Sequence, residues 1–259
     1  MTETQQTRAH ALRALHAKHP AHPLHARRAP DPDTAVTPLN LHVLEQVVES
    51  LSREYEGMFS PETVERYVFE SYSSLARTAK VDTFLGILTE HFANDRLRAL
   101  AKSQGKIAKL VPHVLFVCAP NIGRSQMAAA LLAHAAGDAV EVRSAGITPG
   151  TRVHPLTAEV LRERGVELTK SYPKPLTDDI VRATDYVVTI GHDNACPIYP
   201  DKRYLDWDIA GPDVEHLDDV RIEEVRGIVD QIEAHVHQLW AEIREQSRAT
   251  EDEQARTAV

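Results

Sequence analysis

His113-Val114-Leu115-Phe116-Val117-Cys118-Ala119-Pro120-Asn121-Ile122-Gly123-Arg124-Ser125-Gln126-Met127-Ala128 passes from an apolar run, through a short polar loop, into an alanine-rich segment. A continuous apolar run bounded by a turn signal suits a strand covered on both faces, so Val114 to Val117 reads as a buried parallel strand. The alanines predict a helix beginning near Gln126. A thiol, Cys118, and a guanidinium, Arg124, therefore stand at the two ends of one loop with five residues between them. The backbone of Ala119, Pro120, Asn121, Ile122 and Gly123 is long enough to turn N–H groups inward, and the following helix adds its positive end, so a tetrahedral oxyanion is held there without a metal. The same field favours thiolate over thiol and makes Cys118 nucleophilic. Arg124 grips two oxygens in a planar fork, which a lysine does not do. Gly123 lets the backbone approach the anion, and Ser125 either donates its hydroxyl to the thiolate or caps the helix. A lone cysteine at a strand end would equally suit the core. Its neighbours are what point to chemistry.

Beyond this loop the order strand then helix repeats. Val140 to Ser144 and Tyr186 to Ile190 read as strands, with a helix around Pro155 to Arg164 between them. Arg203 to Trp207 follows, and a closing amphipathic helix runs from about Val220 to Glu245. Such alternation predicts an α/β fold, an open parallel sheet flanked by helices, with ligands at the carboxyl ends of the strands. The stretch after Arg248 is polar and is expected to be a fraying tail.

Ahead of the sheet, residues 38–109 carry a helical pattern in three segments. Leu41, Leu44, Val47, Val48 and Leu51 form one apolar face, closed by Gly57. Ser60-Pro61 is a cap followed by a first-turn proline, and Val64, Tyr67, Val68, Tyr72 and Leu75 recur at helical spacing. Asp82 is placed to cap a third helix bearing Phe84, Leu85, Leu88, Phe92, Leu97 and Leu100, which Gly105 ends. These positions read as the core of a small three-helix bundle, with docking or a homodimer through them left open. Residues 1–37 read as a tail interrupted by Pro20, Pro23, Pro30 and Pro32. Its histidines His16, His19, His22 and His25 lack an acidic or cysteine partner at coordinating spacing, so no metal is expected.

The chain has 259 residues and a formal net charge of −9, which argues against nonspecific nucleic-acid binding and gives no attraction to anionic membranes. No apolar run approaches the roughly 18 residues of a spanning helix, and no signal-peptide core opens the chain, so a cytoplasmic protein is expected. Its two cysteines, Cys118 and Cys196, fit a reducing compartment.

Cys118, two residues, Asn121, two residues, Arg124 and Ser125 after a strand resembles the low-molecular-weight tyrosine phosphatase superfamily, and more closely its arsenate reductase branch. Further segments resemble that branch in order: Met127-Ala128-Ala129-Ala130, Val142-Arg143-Ser144-Ala145-Gly146, Lys174-Pro175-Leu176-Thr177, Asp185-Tyr186-Val187-Val188-Thr189, and Ala195-Cys196-Pro197 leading to Asp206-Trp207. The helices around Ser60 to Leu100 look like the domain that precedes some bacterial arsenate reductases, particularly those using mycothiol. The resemblance implies attack of Cys118 on arsenate, with phosphate or sulfate as mimics, and a role in arsenical detoxification. Asn121 is expected to shape the loop by bonds to its backbone.

Two departures from the family pattern bear on mechanism. Members that use thioredoxin place two cysteines near residue 196, and this chain has only Cys196 there, with His192 where the other can stand. The resemblance then implies an external low-molecular-weight thiol, mycothiol, bacillithiol or glutathione, and a glutaredoxin-like or mycoredoxin-like protein that regenerates it; a Cys118–Cys196 disulfide stays open. No metal or prosthetic group is implied. Members also carry an acidic proton donor immediately before a proline, where Gly211 stands here, leaving Asp213 and, less well placed, Asp208 as substitutes. Losing the acid harms aryl phosphate hydrolysis more than arsenate chemistry, whose leaving group is hydroxide or water. Alternative readings are a tyrosine phosphatase and an oxyanion-binding protein impaired by Gly211.

Overall fold

The computed structural model describes residues 38–79, 84–168, 171–191, 196–211 and 220–257. The histidine-bearing tail, Asp82, His192 and Asp213 lie outside them. The described chain runs α1 (Pro38–Glu54), α2 (Pro61–Ala76), α3 (Leu85–Ser103), β1 (His113–Cys118), α4 (Arg124–Ala136), β2 (Glu141–Gly146), α5 (Pro155–Glu163), α6 (Asp178–Ala183), β3 (Tyr186–Ile190), β4 (Arg203–Trp207) and α7 (Ile222–Thr257).

The four strands form one parallel sheet in the order β2-β1-β3-β4, with Val114 opposite Val142 on one side and Tyr186 on the other. β1 is central and buried at every position, as its unbroken apolar run requires. Val114, Phe116 and Cys118 point to one face and join a core made with Met127, Leu131 and Leu132 of α4 and Val229, Ile232, Val236 and Leu239 of α7. Leu115 and Val117 point to the other face and are buried as well. Sequence order and spatial order diverge at β1, which places the loop after it at the switch point of the sheet, where ligands of open parallel sheets bind.

The helical segment follows its pattern closely. Ser60 caps α2 by accepting from the Thr63 N–H, and Pro61 opens the helix. Val64, Tyr67, Val68, Tyr72, Phe92 and Leu97 are buried, so the apolar stripes are the bundle's own core. Phe84 is not among them: it precedes the first turn of α3 and is 65% exposed.

Two elements differ from the sequence reading. The short helix α6 was not anticipated, because six residues give too little periodicity to distinguish it from loop. The polar tail expected from residue 248 is instead a continuation of α7 to Thr257. That stretch loses the apolar face but keeps strong helix formers such as Glu245, Gln246, Glu251 and Gln254, so a helix already nucleated by packing propagates through it.

Buried ion pairs join the helical bundle to the sheet domain. Arg96 of α3, 6% exposed, donates from Nε to Asp179 of α6 at 3.3 Å, from Nη1 to Ser71 at 3.2 Å and from Nη2 to Glu70 at 3.0 Å. Burial works against its charge, but Asp179 and Glu70 more than offset that and hold the guanidinium protonated. Lys102 of α3 reaches Glu141 at the start of β2, which also pairs with Arg143 and lies 3.4 Å from His113 Nε2.

His113 is held neutral. Burial lowers its pKa from 6.5 to about 4, against the pull of Glu141 and with the help of Lys102 and Arg143. The unfolded chain therefore binds this proton more readily than the folded one across that interval, so His113 makes stability fall as pH drops from 6.5 towards 4. Urea unfolding at several pH values should show a shallower acid decline for His113→Gln than for the wild type. Parallel declines would refute the assignment.

Candidate active site

The loop from Ala119 to Gly123 is anchored from outside. The carbonyls of Ala119, Pro120 and Ile122 accept from the N–H groups of Thr148, Gly150 and His154, each at 2.9 Å, and Gly123 accepts from Met127. With the carbonyls engaged in this way, the N–H groups of Ala119, Asn121, Ile122, Gly123 and Arg124 have no backbone acceptor among the described residues. Inward N–H groups at the start of a helix, as here before α4, have the arrangement that can hold an anion. Pro120 contributes shape alone, since proline has no N–H.

Cys118 Sγ lies 2.9 Å from Ser125 Oγ, and Asn121 Nδ2 donates to that same Oγ at 2.8 Å. With one lone pair taken by Asn121, the single hydroxyl hydrogen of Ser125 is free to turn to sulfur, which supports an anionic thiolate. Ser125 lies inside α4 and does not cap it; the N-cap is Gly123. Asn121 has φ of 50°, a left-handed conformation that asparagine tolerates better than most residues. Its Oδ1 accepts from the Lys174 N–H at 3.0 Å and from Gln126 Nε2 at 3.2 Å. Asn121 therefore does not bond its own loop's backbone, as the sequence suggested. It ties the loop to Ser125, to α4 and to a segment 53 residues away.

Arg124 is half-buried, and its Nη1 donates to the Ile209 carbonyl at 2.7 Å. The guanidinium lies against two glycines at the ends of β3 and β4. A Cβ on Gly191, which has φ of 94°, would stand 2.2 Å from Nη1, and one on Gly211 would stand 2.7 Å from Nε and 2.8 Å from Cζ. Among the described residues the other N–H donors of the fork have no acceptor, which suits them to an anion. Gly211 thus has a steric role, because any side chain there collides with the guanidinium. Gly211→Ala should displace Arg124 and lower turnover on the order of 10²-fold, the usual consequence of misplacing a group by about 1 Å. Unchanged turnover in that variant would remove the argument.

Cys196 is half-buried, and burial pushes its thiol up to about 11. Both cysteines are free. Among the described residues no cluster of three or more His, Cys, Asp or Glu could hold a metal, and no helix is long and apolar enough to cross a membrane.

Several supports escaped the sequence reading. Gln126 is 3% exposed and its Nε2 reaches the Asn121 carbonyl at 3.0 Å and the Tyr172 carbonyl at 3.1 Å. An isolated amide on the inward side of an alanine-rich first turn was the available signal. Gly146 lies so close to the loop that a Cβ would come within 2.8 Å of Asn121 Cβ and 2.9 Å of the Ala119 carbonyl. Nothing local to Gly146 in the chain reveals such an approach.

A family model described as low molecular weight phosphotyrosine protein phosphatase matches residues 113–249, and one described as a protein-tyrosine-phosphatase-like N-terminal domain matches residues 44–101. A putative arsenate reductase of Halobacterium salinarum is 32% identical over 132 residues, which are 49% of this chain and 89% of that protein. An arsenate reductase of Staphylococcus aureus is 36% identical over 90 residues, 34% of this chain and 67% of that protein. The solved structure of the Corynebacterium glutamicum thioredoxin-dependent arsenate reductase is 50% identical, with a TM-score of 0.72 over 79% of this chain and 98% of that one.

Proposed function

Since the chain belongs to the low molecular weight phosphotyrosine protein phosphatase family, we propose that it is an arsenate reductase whose nucleophile is Cys118. The observation that carries this reading is a sulfur 2.9 Å from a hydroxyl free to donate to it, on a loop whose N–H groups have no backbone acceptor among the described residues. Cys118 thiolate attacks arsenic held by those N–H groups and Arg124. The S–As bond forms as an As–O bond breaks, and the oxygen leaves as hydroxide that solvent protonates. An external thiol then attacks arsenic and displaces Cys118 thiolate. Last, a redoxin thiolate attacks the external thiol's sulfur; the S–S bond forms, the S–As electron pair stays on arsenic, and As(V) leaves as As(III). Each turnover oxidises two thiols.

Arsenate tolerates Gly211 in this scheme because its leaving oxygen needs no dedicated acid, whereas an aryl phosphate benefits from one. A second reading is favoured by the name of the Corynebacterium glutamicum structure: thioredoxin reduces the protein directly, after Cys196 and Cys118 form a disulfide. Against it stands the Cys196 thiol, which burial holds at about 11 and therefore protonated at neutral pH.

The deciding assay follows NADPH consumption with arsenate in the presence of mycothiol, bacillithiol or glutathione with their redoxins, and separately with thioredoxin. Turnover with a small thiol that survives Cys196→Ser supports the first scheme. Turnover with thioredoxin alone, lost in Cys196→Ser, supports the second. No arsenate-dependent consumption in any arm, with aryl phosphate hydrolysed without thiol, would make the chain a phosphatase.

A further inference from the structure

A cavity of about 620 Å³ opens between α3, α4 and β2, apart from Cys118. Its volume falls within the roughly 300–1,000 Å³ of small-molecule sites. The space exists because three successive inward positions of α4, Ala129, Ala130 and Ala133, carry small side chains, with Gln126 and His134 of the same helix at its margins. Two cations in its wall lack full compensation. Arg143 is 8% exposed, yet its Nη1 has no hydrogen-bond partner among the described residues, while Nη2 pairs with Glu141. Glu141 is itself shared with Lys102. Lys174 is half-buried and rests 4.5 Å over the Tyr172 ring, with no ion pair among the described residues. Burial holds its ammonium below the usual lysine range, with Asp95 opposing and Arg143 adding to the shift. Arg98 of α3 adds a third cation, and Asp95 and Glu167 lie in the same wall.

A buried guanidinium N–H without an acceptor is costly, so an acceptor carried in by a ligand is favoured there. We propose that this cavity binds a small organic phosphate, its phosphoryl oxygens held by Arg143 with the Lys174 side chain beside the ligand. A phosphate monoester dianion suits two cations of which one is only partly neutralised by Glu141, whereas a single carboxylate leaves charge uncompensated. Asp95 and Glu167 require that the rest of the ligand be neutral or cationic. The site depends on the helical bundle, because Asp95 and Arg98 come from α3. It also abuts the catalytic loop's supports, since Gln126 lines it and the Lys174 N–H holds Asn121.

Pyridoxal 5′-phosphate tests this on the intact wild-type chain. Its aldehyde condenses with a neutral lysine amine and expels water, and borohydride then adds hydride to the imine carbon while solvent supplies the proton. Peptide mapping reads the secondary amine. Labelling of Lys174 is measured relative to exposed Lys106 in the same sample, for pyridoxal 5′-phosphate and for pyridoxal, which lacks the phosphate. The ratio should be roughly tenfold or more higher with the phosphate than without it, and Arg143→Met should abolish the difference. Equal ratios for the two aldehydes in the wild type would overturn the site, whatever the variant does.

Discussion

Serine in place of Cys118 should lower arsenate-dependent turnover by on the order of 10⁴–10⁶-fold, the range seen when a nucleophile that works as part of a unit is removed. The reason lies in the surroundings of the sulfur. Ser125, with Asn121 donating to its oxygen, can direct its hydroxyl hydrogen at the residue 118 side chain from 2.9 Å. This supports a negatively charged atom, and a thiol becomes that anion far more readily than an alcohol. The substitution removes no packing of consequence, so the thermal midpoint should hardly move. The same NADPH assay checks the result, and residual turnover above about one part in 10³ would mean that Cys118 is not the group that attacks arsenic.

Arg96→Met should cost about 3–5 kcal/mol of folding stability, because it leaves the Asp179 carboxylate buried without its cation. Asp179 is 6% exposed and keeps Thr177 Oγ1, at 3.3 Å, as a donor. Methionine nearly preserves volume, so a cavity is not the cause. The double variant Arg96→Met, Asp179→Leu should recover much of the loss, since replacing both members of a buried pair by apolar groups is often neutral. Urea unfolding of the three proteins decides it. A single variant within about 1 kcal/mol of wild type would show that the bundle does not rely on this pair.

The loop was readable from sequence because every signal in it is local. An apolar run, a glycine, a cysteine and an arginine at fixed spacing, and an alanine-rich helix all fall within sixteen residues. The sheet was readable for a similar reason: strands buried on both faces are continuous apolar runs, and they alternated with helical segments. Ser60 declared the start of α2 by cap chemistry that acts over three residues. By contrast α6 was too short to show a period, and α7 ran on past its apolar face because helix propagation needs no further packing.

What the sequence determined by itself was the parallel α/β architecture, the three-helix segment before it, and the position of the thiol at a strand's carboxyl end. Tertiary structure alone decided what holds that loop and the bundle in place. Asn121 is tied to Lys174, Arg124 to Ile209, Gly146 to Ala119 and Arg96 to Asp179 across separations that carry no pattern in the chain. The physical reason is range. Periodicity, caps and turns record interactions between residues a few positions apart. A hydrogen bond or a steric limit between distant segments leaves its mark only once packing has brought them within about 4 Å.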